Sequence, residues 1–195
     1  MRRNPALLIL ILSLAPAIGL GIGRFAYSLV LPDMRDSLQW SYSSAGFMNT
    51  VNAAGYLLGA LAASSLGKRY GLFAVIQIGT VACVASLLLC GVTTDFTLLS
   101  IARFVPGFGA AISFVAGGAL AASIGLTHPE RSAYLLSLFY AGPGMGILLS
   151  GLIAPFVLQG FGSGSWWIVW LVLGAVSVVM GLPLLRRLID AADHT

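Results

Sequence analysis

Long apolar stretches separated by short polar connections make up nearly the whole of this chain. Each stretch is close to the roughly 20 residues that an α-helix needs to cross a bilayer, and none alternates with the two-residue period of a membrane-barrel strand. The pattern therefore predicts an all-α membrane protein with six transmembrane helices. The connections are too short to hold a separate domain, so residues 1–195 are interpreted as one helical bundle. The six stretches lie at about residues 6–31, 43–66, 72–92, 96–126, 133–158 and 166–185.

The composition supports this interpretation. Hydrophobic residues make up 58% of the chain and charged residues only 8%, whereas about a quarter of residues are charged in a soluble domain, so a water-soluble protein is excluded. The N-terminal stretch has an alternative interpretation, because Arg2, Arg3, the apolar run 6–14 and Ala15-Pro16-Ala17 also resemble a cleaved signal peptide. The apolar run continues to Pro32 and further spans follow, which favours a first transmembrane helix.

The basic residues lie almost entirely on one side of the predicted bundle. If the N-terminus is cytoplasmic, the only basic residue on the outer side is Arg35. This asymmetry follows the positive-inside rule and predicts that both termini are cytoplasmic, in the inner or plasma membrane of the cell. The basic residues of the inner side are Arg2, Arg3, Lys68, Arg69, Arg131, Arg186 and Arg187, and the aromatic residues of the outer boundary are Trp40, Tyr42, Trp166, Trp167 and Trp170.

Two arginines, Arg24 and Arg103, fall well inside predicted helices and at similar depths. A charge at such a depth is costly, so it normally faces the interior of a bundle or a wet cavity; the alternative is that the side chain snorkels to the headgroups. Since no carboxylate occurs in any apolar stretch, a cavity lined by these arginines favours an anion. The polar residues predicted to join them, as substrate-binding or coupling residues, are Asn49, Asn52, Tyr56 and Tyr140.

Glycines spaced four residues apart open grooves on one helix face, and such grooves let two helices come close together. These seams have two interpretations that the sequence leaves open: tight packing, or a contact that slides while the protein works. The pairs are Gly19 and Gly23, Gly55 and Gly59, and Gly142 and Gly146.

Three motifs then point to a family. Arg103 is followed four residues later by Gly107, Gly142-Pro143 is followed by Gly146 in the pattern Gly-Pro-x-x-Gly, and residues 21–63 carry the most characteristic stretch. With these motifs the chain resembles the N-terminal six-helix half of a major facilitator superfamily transporter, in particular its YbfB/YjiJ-like branch. The resemblance implies a 3+3 inverted repeat within this half, and twelve helices in two halves with the substrate site between them.

The connection between the second and third helices departs from the family pattern. That pattern is Gly-x-Leu-x-Asp-Arg-x-Gly-Arg-Arg, and this chain has SSLGKRYGLF over residues 64–73. Arg69 and Gly71 match this cytoplasmic loop motif, but Lys68 stands in the place of the aspartate. In the family that aspartate takes part in a cytoplasmic clasp between the halves, so the usual clasp is not expected here.

The resemblance implies a secondary transporter, or half of one, that moves a small organic solute by alternating access; the two intramembrane arginines make an anion the expected solute. Gly142, Pro143 and Gly146 are expected to form a conformational seam. The alternative is a non-transporting or regulatory membrane subunit, a truncated remnant of such a transporter. An intramembrane enzyme is not favoured, because the serines of residues 162–165 have no histidine or acid within a span to activate them.

The expected partners follow from the same considerations. They are the lipid bilayer, a small-molecule substrate and a second six-helix half, supplied by a second copy of this chain or by a separate chain, because a lone half would expose the wall of its cavity. The sequence carries no signature of a metal site, a cofactor, a nucleotide or a nucleic acid, so none of these is expected.

Overall fold

The computed structural model describes residues 4–185, and within that range the chain forms six long helices. Five of them are long and apolar enough to cross a membrane. The helices are α1 (Pro5–Ser37), α2 (Tyr42–Tyr70), α3 (Leu72–Cys90), α4 (Phe96–Leu126), α5 (Pro129–Phe161) and α6 (Trp166–Leu185). The remaining helix, α2, is long enough at 29 residues, but Asn49 and Asn52 make it less apolar than the others. Arg2, Arg3, Arg186 and Arg187, on which part of the predicted orientation depends, lie outside the described residues.

The helix ends differ from the prediction mainly where helices continue beyond the apolar layer. α1 passes through Pro32 and ends at Ser37, not near residue 31, and α2 continues to Tyr70. α5 covers Pro129–Phe161 instead of 133–158, whereas α3 ends at Cys90, two residues early. Apolarity marks only the part of a helix within the hydrocarbon core, about 30 Å thick, and a helix of more than 30 residues is longer than that.

The first helix changes its winding along its length. An α-helical part, Pro5–Pro16, is followed by a π-helical part, Ala17–Arg24, and by a second α-helical part, Ala26–Ser37. The π-helical part has the sequence AIGLGIGR, whose three glycines tolerate an unusual backbone. Segments of this kind are rare and frequently lie at functional sites. The winding changes at the turn that carries Arg24.

The fifth helix is interrupted near its middle. It begins with a 3₁₀ turn, Pro129–Arg131, and its two α-helical parts, Ser132–Tyr140 and Gly142–Phe161, are separated at Ala141. The interruption comes two residues before Pro143, which lies in the first turn of the second part, where its missing N–H leaves no helical hydrogen bond unmade.

Glycines bring α2 and α4 into backbone contact. A methyl group added at Gly55 would collide with the backbone of Phe104, and one added at Gly59 would collide with the backbone of Phe108. From the other side, a methyl group at Gly107 would collide with the backbone of Asn52. The two helices therefore approach as closely as small-residue seams in membranes allow.

A second glycine seam joins α1 to α5. The Cα atom of Gly21 lies against Gly146, and a methyl group added at Gly142 or Gly146 would collide with the backbone of Ser13 or Ala17, respectively. In two of the three predicted glycine pairs, therefore, both glycines lie in backbone contact with a neighbouring helix.

The third predicted pair, Gly19 and Gly23, faces α4 more loosely. A methyl group at Gly19 would collide with Ala110, but one at Gly23 would have the Pro106 side chain at 3.8 Å, which is ordinary contact. α4 therefore packs against both α1 and α2 and forms the centre of the bundle.

The end of α1 is tied to the start of α6 by one carboxylate. Oδ1 of Asp33 accepts a hydrogen bond of 2.7 Å from the backbone N–H of Gly164, and Oδ2 accepts one of 2.9 Å from that of Trp166. Gly164 has a φ angle of 86°, in the left-handed region that favours glycine. This side chain therefore caps α6 from another helix.

Candidate functional site

Arg103 lies in the interior of the bundle. Its side chain is 1% exposed, and its Nη1 donates a hydrogen bond of 2.7 Å to the carbonyl oxygen of Gly23. The guanidinium carbon lies 4.5 Å from the ring centre of Tyr27 and 5.7 Å from that of Trp170. The positive charge is thus held by one carbonyl dipole and two aromatic rings, which attract cations.

Part of this guanidinium has no partner within residues 4–185. Nε and Nη2 of Arg103 are buried without a hydrogen bond to the described part of the chain, and so is the indole N–H of Trp170. Buried polar atoms are normally paired, so three N–H donors close together without a partner in the described helices are unusual in the interior of a bundle.

Asn52 joins the same interior network from α2. Its Nδ2 donates a hydrogen bond of 2.8 Å to the carbonyl oxygen of Arg103, and its Oδ1 has no partner within the described residues. The phenol of Tyr27 donates to the carbonyl oxygen of Ala45 at 2.9 Å, which ties α1 to α2 at this level. Arg103 and Asn52 therefore lie together, but behind the surface of the bundle.

Arg24 directly follows Gly23, whose carbonyl oxygen Arg103 binds, but the Arg24 side chain is only half-buried. Its guanidinium carbon lies 5.2 Å from the ring centre of Tyr56, which is also half-buried. Within residues 4–185 the only ion pair joins Arg35 to Asp36, so Arg24 has no carboxylate partner there. This side of the bundle thus presents a cation supported by a phenol ring.

Asn49 lies on the exposed side of α2, whereas Asn52 is buried. Residues three apart on an α-helix differ by about 60° around the axis, and here that angle separates the outside from the α4 seam. Asn49 and Tyr56 are seven residues apart and lie on nearly the same side. Tyr56 therefore lies next to Arg24, and Asn49 lies on nearly the same side of α2, on the order of 10 Å further along the axis.

Tyr140 lies in a different region, where α5 contacts α4. It is 54% exposed, and its ring centre lies 5.6 Å from that of Phe114 and 5.2 Å from that of Phe139. The neighbouring Gly142 contacts the backbone of Ser13. Ser13 lies on the order of 15 Å along α1 from Arg24. The structure therefore does not bring Tyr140 together with Arg24.

The residues of the loop motif lie at the junction of α2 and α3. Lys68 and Arg69 form the last turn of α2 and are exposed, and the guanidinium of Arg69 lies 5.2 Å from the ring centre of Tyr70. Gly71 separates the two helices with a φ angle of 84°, which explains why glycine is placed there.

The sequence did not reveal the groups that enclose Arg103. Trp170, one of the aromatic residues predicted at the outer boundary, faces the inside of the bundle and is completely buried, and Tyr27 contacts the guanidinium although it is not among the predicted site residues. The nearest signal in the sequence is the position of Tyr27 three residues after Arg24, but only the structure shows that Arg103 binds the turn before Tyr27. Trp170 gave no such signal, because nothing local shows which side of α6 faces the bundle.

A comparison with known proteins identifies a family model that matches most of this chain. Residues 16–195 match the family model described as "Uncharacterised MFS-type transporter YbfB", where MFS stands for major facilitator superfamily. The match covers most of the chain, including every helix that contributes to the network around the two arginines.

Three relatives are similar to this chain over much of its length. It is 29% identical over 170 residues to the uncharacterized MFS-type transporter YceJ of Bacillus subtilis (strain 168), which covers 85% of this chain and 41% of that protein. It is 30% identical to the MFS transporter prlG of Fungal sp. (strain NRRL 50135), over 68% of this chain and 28% of prlG. For the efflux pump radE of Floropilus chiversii the identity is 27%, over 74% of this chain and 27% of radE. The chain thus spans less than half the length of each.

Proposed function

This chain belongs to the major facilitator superfamily, in its YbfB-like branch, and on that premise we propose that it forms the substrate-facing wall of a secondary transporter for small organic anions, which works by alternating access. As a member of this family it is a multi-pass membrane protein. The proposal extends to a location in the inner or plasma membrane, with both termini cytoplasmic and the six helices related as a 3+3 inverted repeat.

One observation carries the anion proposal: Arg24 is a half-buried cation without a carboxylate partner within residues 4–185. A substrate carboxylate or sulfonate would supply the missing negative charge, since a guanidinium binds such groups with two parallel hydrogen bonds. Tyr56 holds the guanidinium from one side, and Asn49 offers an amide on the same side of α2. We propose Arg24, Tyr56 and Asn49 as the substrate contacts.

Arg103 and Asn52 have a different role in this proposal. Both are buried, so they act as positioning residues: Arg103 holds the carbonyl group directly before Arg24, and Asn52 holds the backbone of Arg103. The unpaired N–H groups of Arg103 would bind a second carbonyl or a water molecule when α1 moves. A change in this network would alter the orientation of the Arg24 side chain and thereby its contact with the substrate.

The interruption of α5 serves as the conformational seam. Gly142 and Gly146 lie in backbone contact with α1, and Pro143 follows the break at Ala141. Two helices without side chains between them slide with little steric resistance, so α1 and α5 can shift during the transport cycle. Tyr140 borders the same break but lies too far along the bundle from Arg24 to contact a small anion bound there, so it is left out of the proposed substrate contacts.

A binding measurement with charge-neutralised variants tests the anion site. The full chain is purified in mild detergent, and its thermal unfolding is followed with benzoate, succinate or the cation tetraphenylphosphonium. Benzoate or succinate should raise the melting temperature of the parent protein, because a ligand stabilises the state to which it binds. Arg24→Gln should weaken this anion binding at least tenfold, since a charged hydrogen-bonding partner is lost, and Arg24→Lys should retain part of it.

Arg35→Gln is the matched control. It removes the same charge from a residue of α1 that pairs with Asp36 and stacks on Tyr42, away from the proposed site. Its anion affinity should equal that of the parent. Equal losses in Arg24→Gln and Arg35→Gln, or stabilisation by the cation instead of the anions, would contradict the proposal. Counterflow of the stabilising anion in proteoliposomes then tests transport itself.

A further inference from the structure

A groove of about 330 Å³ opens between the final turns of α2 and residues 115–119 of α4, beside the start of α3. Its volume lies within the range of ligand pockets, about 300–1,000 Å³. The residues that line it are Ala63, Ser64, Gly67 and Lys68 of α2, Leu72 of α3, and Val115, Ala116 and Ala119 of α4.

The groove exists because the tight α2–α4 seam ends. At Gly59 the two helices are in backbone contact, and the next positions along the seam are alanines and a glycine, which are too small to fill the space once the helices separate. Ala63 and Ala116 form the buried floor, and Ala119 lies on the exposed wall. The result is an apolar slot that follows the helix axes.

A positive charge lies at one end of this slot. Lys68 is exposed, belongs to the last turn of α2, and follows Ser64 by one helical turn, so both side chains lie on the same side of the helix. Within residues 4–185 the only ion pair is that of Arg35 with Asp36, so Lys68 has no carboxylate partner there. The distance from Ala63 to Lys68 along the axis is on the order of 7 Å.

We propose that this groove binds one anionic phospholipid. The phosphate group accepts hydrogen bonds from Nζ of Lys68 and Oγ of Ser64, and the first part of an acyl chain lies along Ala63, Ala116 and Ala119. An apolar slot with a cation and a hydroxyl group at its end matches an amphiphile of this kind. A free phosphate ion would use only the polar end and leave the apolar walls uncovered.

Native mass spectrometry of the purified full chain tests the proposal. The protein is titrated with phosphatidylglycerol and, separately, with phosphatidylcholine of the same acyl chains. The parent should bind one phosphatidylglycerol molecule more tightly than phosphatidylcholine. Lys68→Gln should weaken the first phosphatidylglycerol about fivefold, the effect expected for one basic residue at a lipid surface, and should bring it close to the value for phosphatidylcholine.

Arg69→Gln is the matched control, because it removes an adjacent exposed charge that does not line the groove. It should change the affinity less than twofold. Ala119→Phe keeps every charge but fills the slot, so it should weaken both lipids. Helical content by circular dichroism and a single elution volume verify that each variant is folded.

Three results would overturn the proposal. Equal effects of Lys68→Gln and Arg69→Gln would mean that the lipid responds only to the general positive charge of this end of the bundle. Unchanged phosphatidylglycerol binding in both Lys68→Gln and Ala119→Phe would mean that the lipid lies elsewhere. Full competition by millimolar glycerol phosphate would mean that the site recognises a free phosphate group and not a lipid.

Discussion

The two arginines of the first and fourth helices differ in what surrounds them. Arg24 is half-buried beside one phenol, whereas Arg103 is enclosed by Tyr27, Trp170 and the carbonyl oxygen of Gly23. A cation in such an interior has lost its hydration, and only part of that loss is recovered, because Nε and Nη2 of Arg103 have no partner within residues 4–185. The volume of this side chain should therefore contribute more to stability than its charge.

Substitutions at Arg103 separate these two contributions. Arg103→Ala should lower the free energy of unfolding by about 3 kcal/mol, because it leaves a cavity among Tyr27, Trp170 and α1. Arg103→Met keeps most of the volume and removes the desolvated charge, so its stability should stay within about 1 kcal/mol of the parent. Reversible unfolding in mixed micelles with increasing dodecyl sulfate measures both. An Arg103→Met variant as unstable as Arg103→Ala would mean that the charge itself holds the bundle together.

The Arg103→Met variant also tests whether Arg103 positions Arg24. Arg103→Met removes the donor to the Gly23 carbonyl, so the turn that carries Arg24 loses a constraint. Anion binding should weaken in this variant although Arg24 is intact and the fold is stable. Anion binding equal to that of the parent would contradict the positioning role and leave the Arg24 site itself untouched.

Among the helix contacts, the α2–α4 seam leaves no room for an added methyl group at Gly55. Gly55→Ala would place a methyl group against the carbonyl group of Phe104, and since this neighbour is backbone it cannot rotate away. The helices must separate, which should lower the free energy of unfolding by about 1–3 kcal/mol. The same unfolding experiment in mixed micelles measures this change.

Gly46→Ala is the control for this seam, because it lies on the same helix and has open space around it. It should leave stability unchanged or raise it by up to about 1 kcal/mol, through the better helix propensity of alanine. Equal destabilisation by Gly55→Ala and Gly46→Ala would mean that loss of glycine, and not helix separation, is responsible.

The periodicity of small and apolar residues is sufficient to predict helices and seams, but not the direction in which a single side chain points. The Gly55 and Gly59 pair predicts a close helix contact, and the structure has one. By contrast, Asn49 and Asn52 look equivalent in the sequence, and only the position of α4 places one outside and the other inside. Trp170 is similar, since it lies beside Arg103 of α4, which is far away in the sequence.

The described helices also leave apolar surfaces on the outside of the bundle, among them one on α5 and one on α2. On α5, Leu152 is 63% exposed and Phe156 is 80% exposed, beside Gly151, which has open space around it. On α2, Leu57 is 62% exposed and Leu61 is 71% exposed. Such residues suit lipid, but an exposed glycine is typical of helix contacts. Since the relatives are more than twice as long as the part that this chain matches, we propose that a second six-helix half covers the α5 surface.

Cysteine crosslinking in membranes that contain only this chain tests whether a second copy supplies that half. The two native thiols, Cys83 and Cys90, are buried, so a single introduced cysteine reports its own surroundings. Gly151→Cys should form disulfide-linked dimers on mild oxidation at least several times faster than Val179→Cys, because the open space at Gly151 lets two α5 helices approach, while Val179, 67% exposed, lies on α6 outside the proposed contact. The bands are quantified by non-reducing electrophoresis at increasing expression levels, since random collisions rise with concentration and a specific contact does not. Equal rates at the two positions, or a rate at Gly151 that follows expression, would contradict a second copy and would leave the α5 surface to a different chain or to lipid.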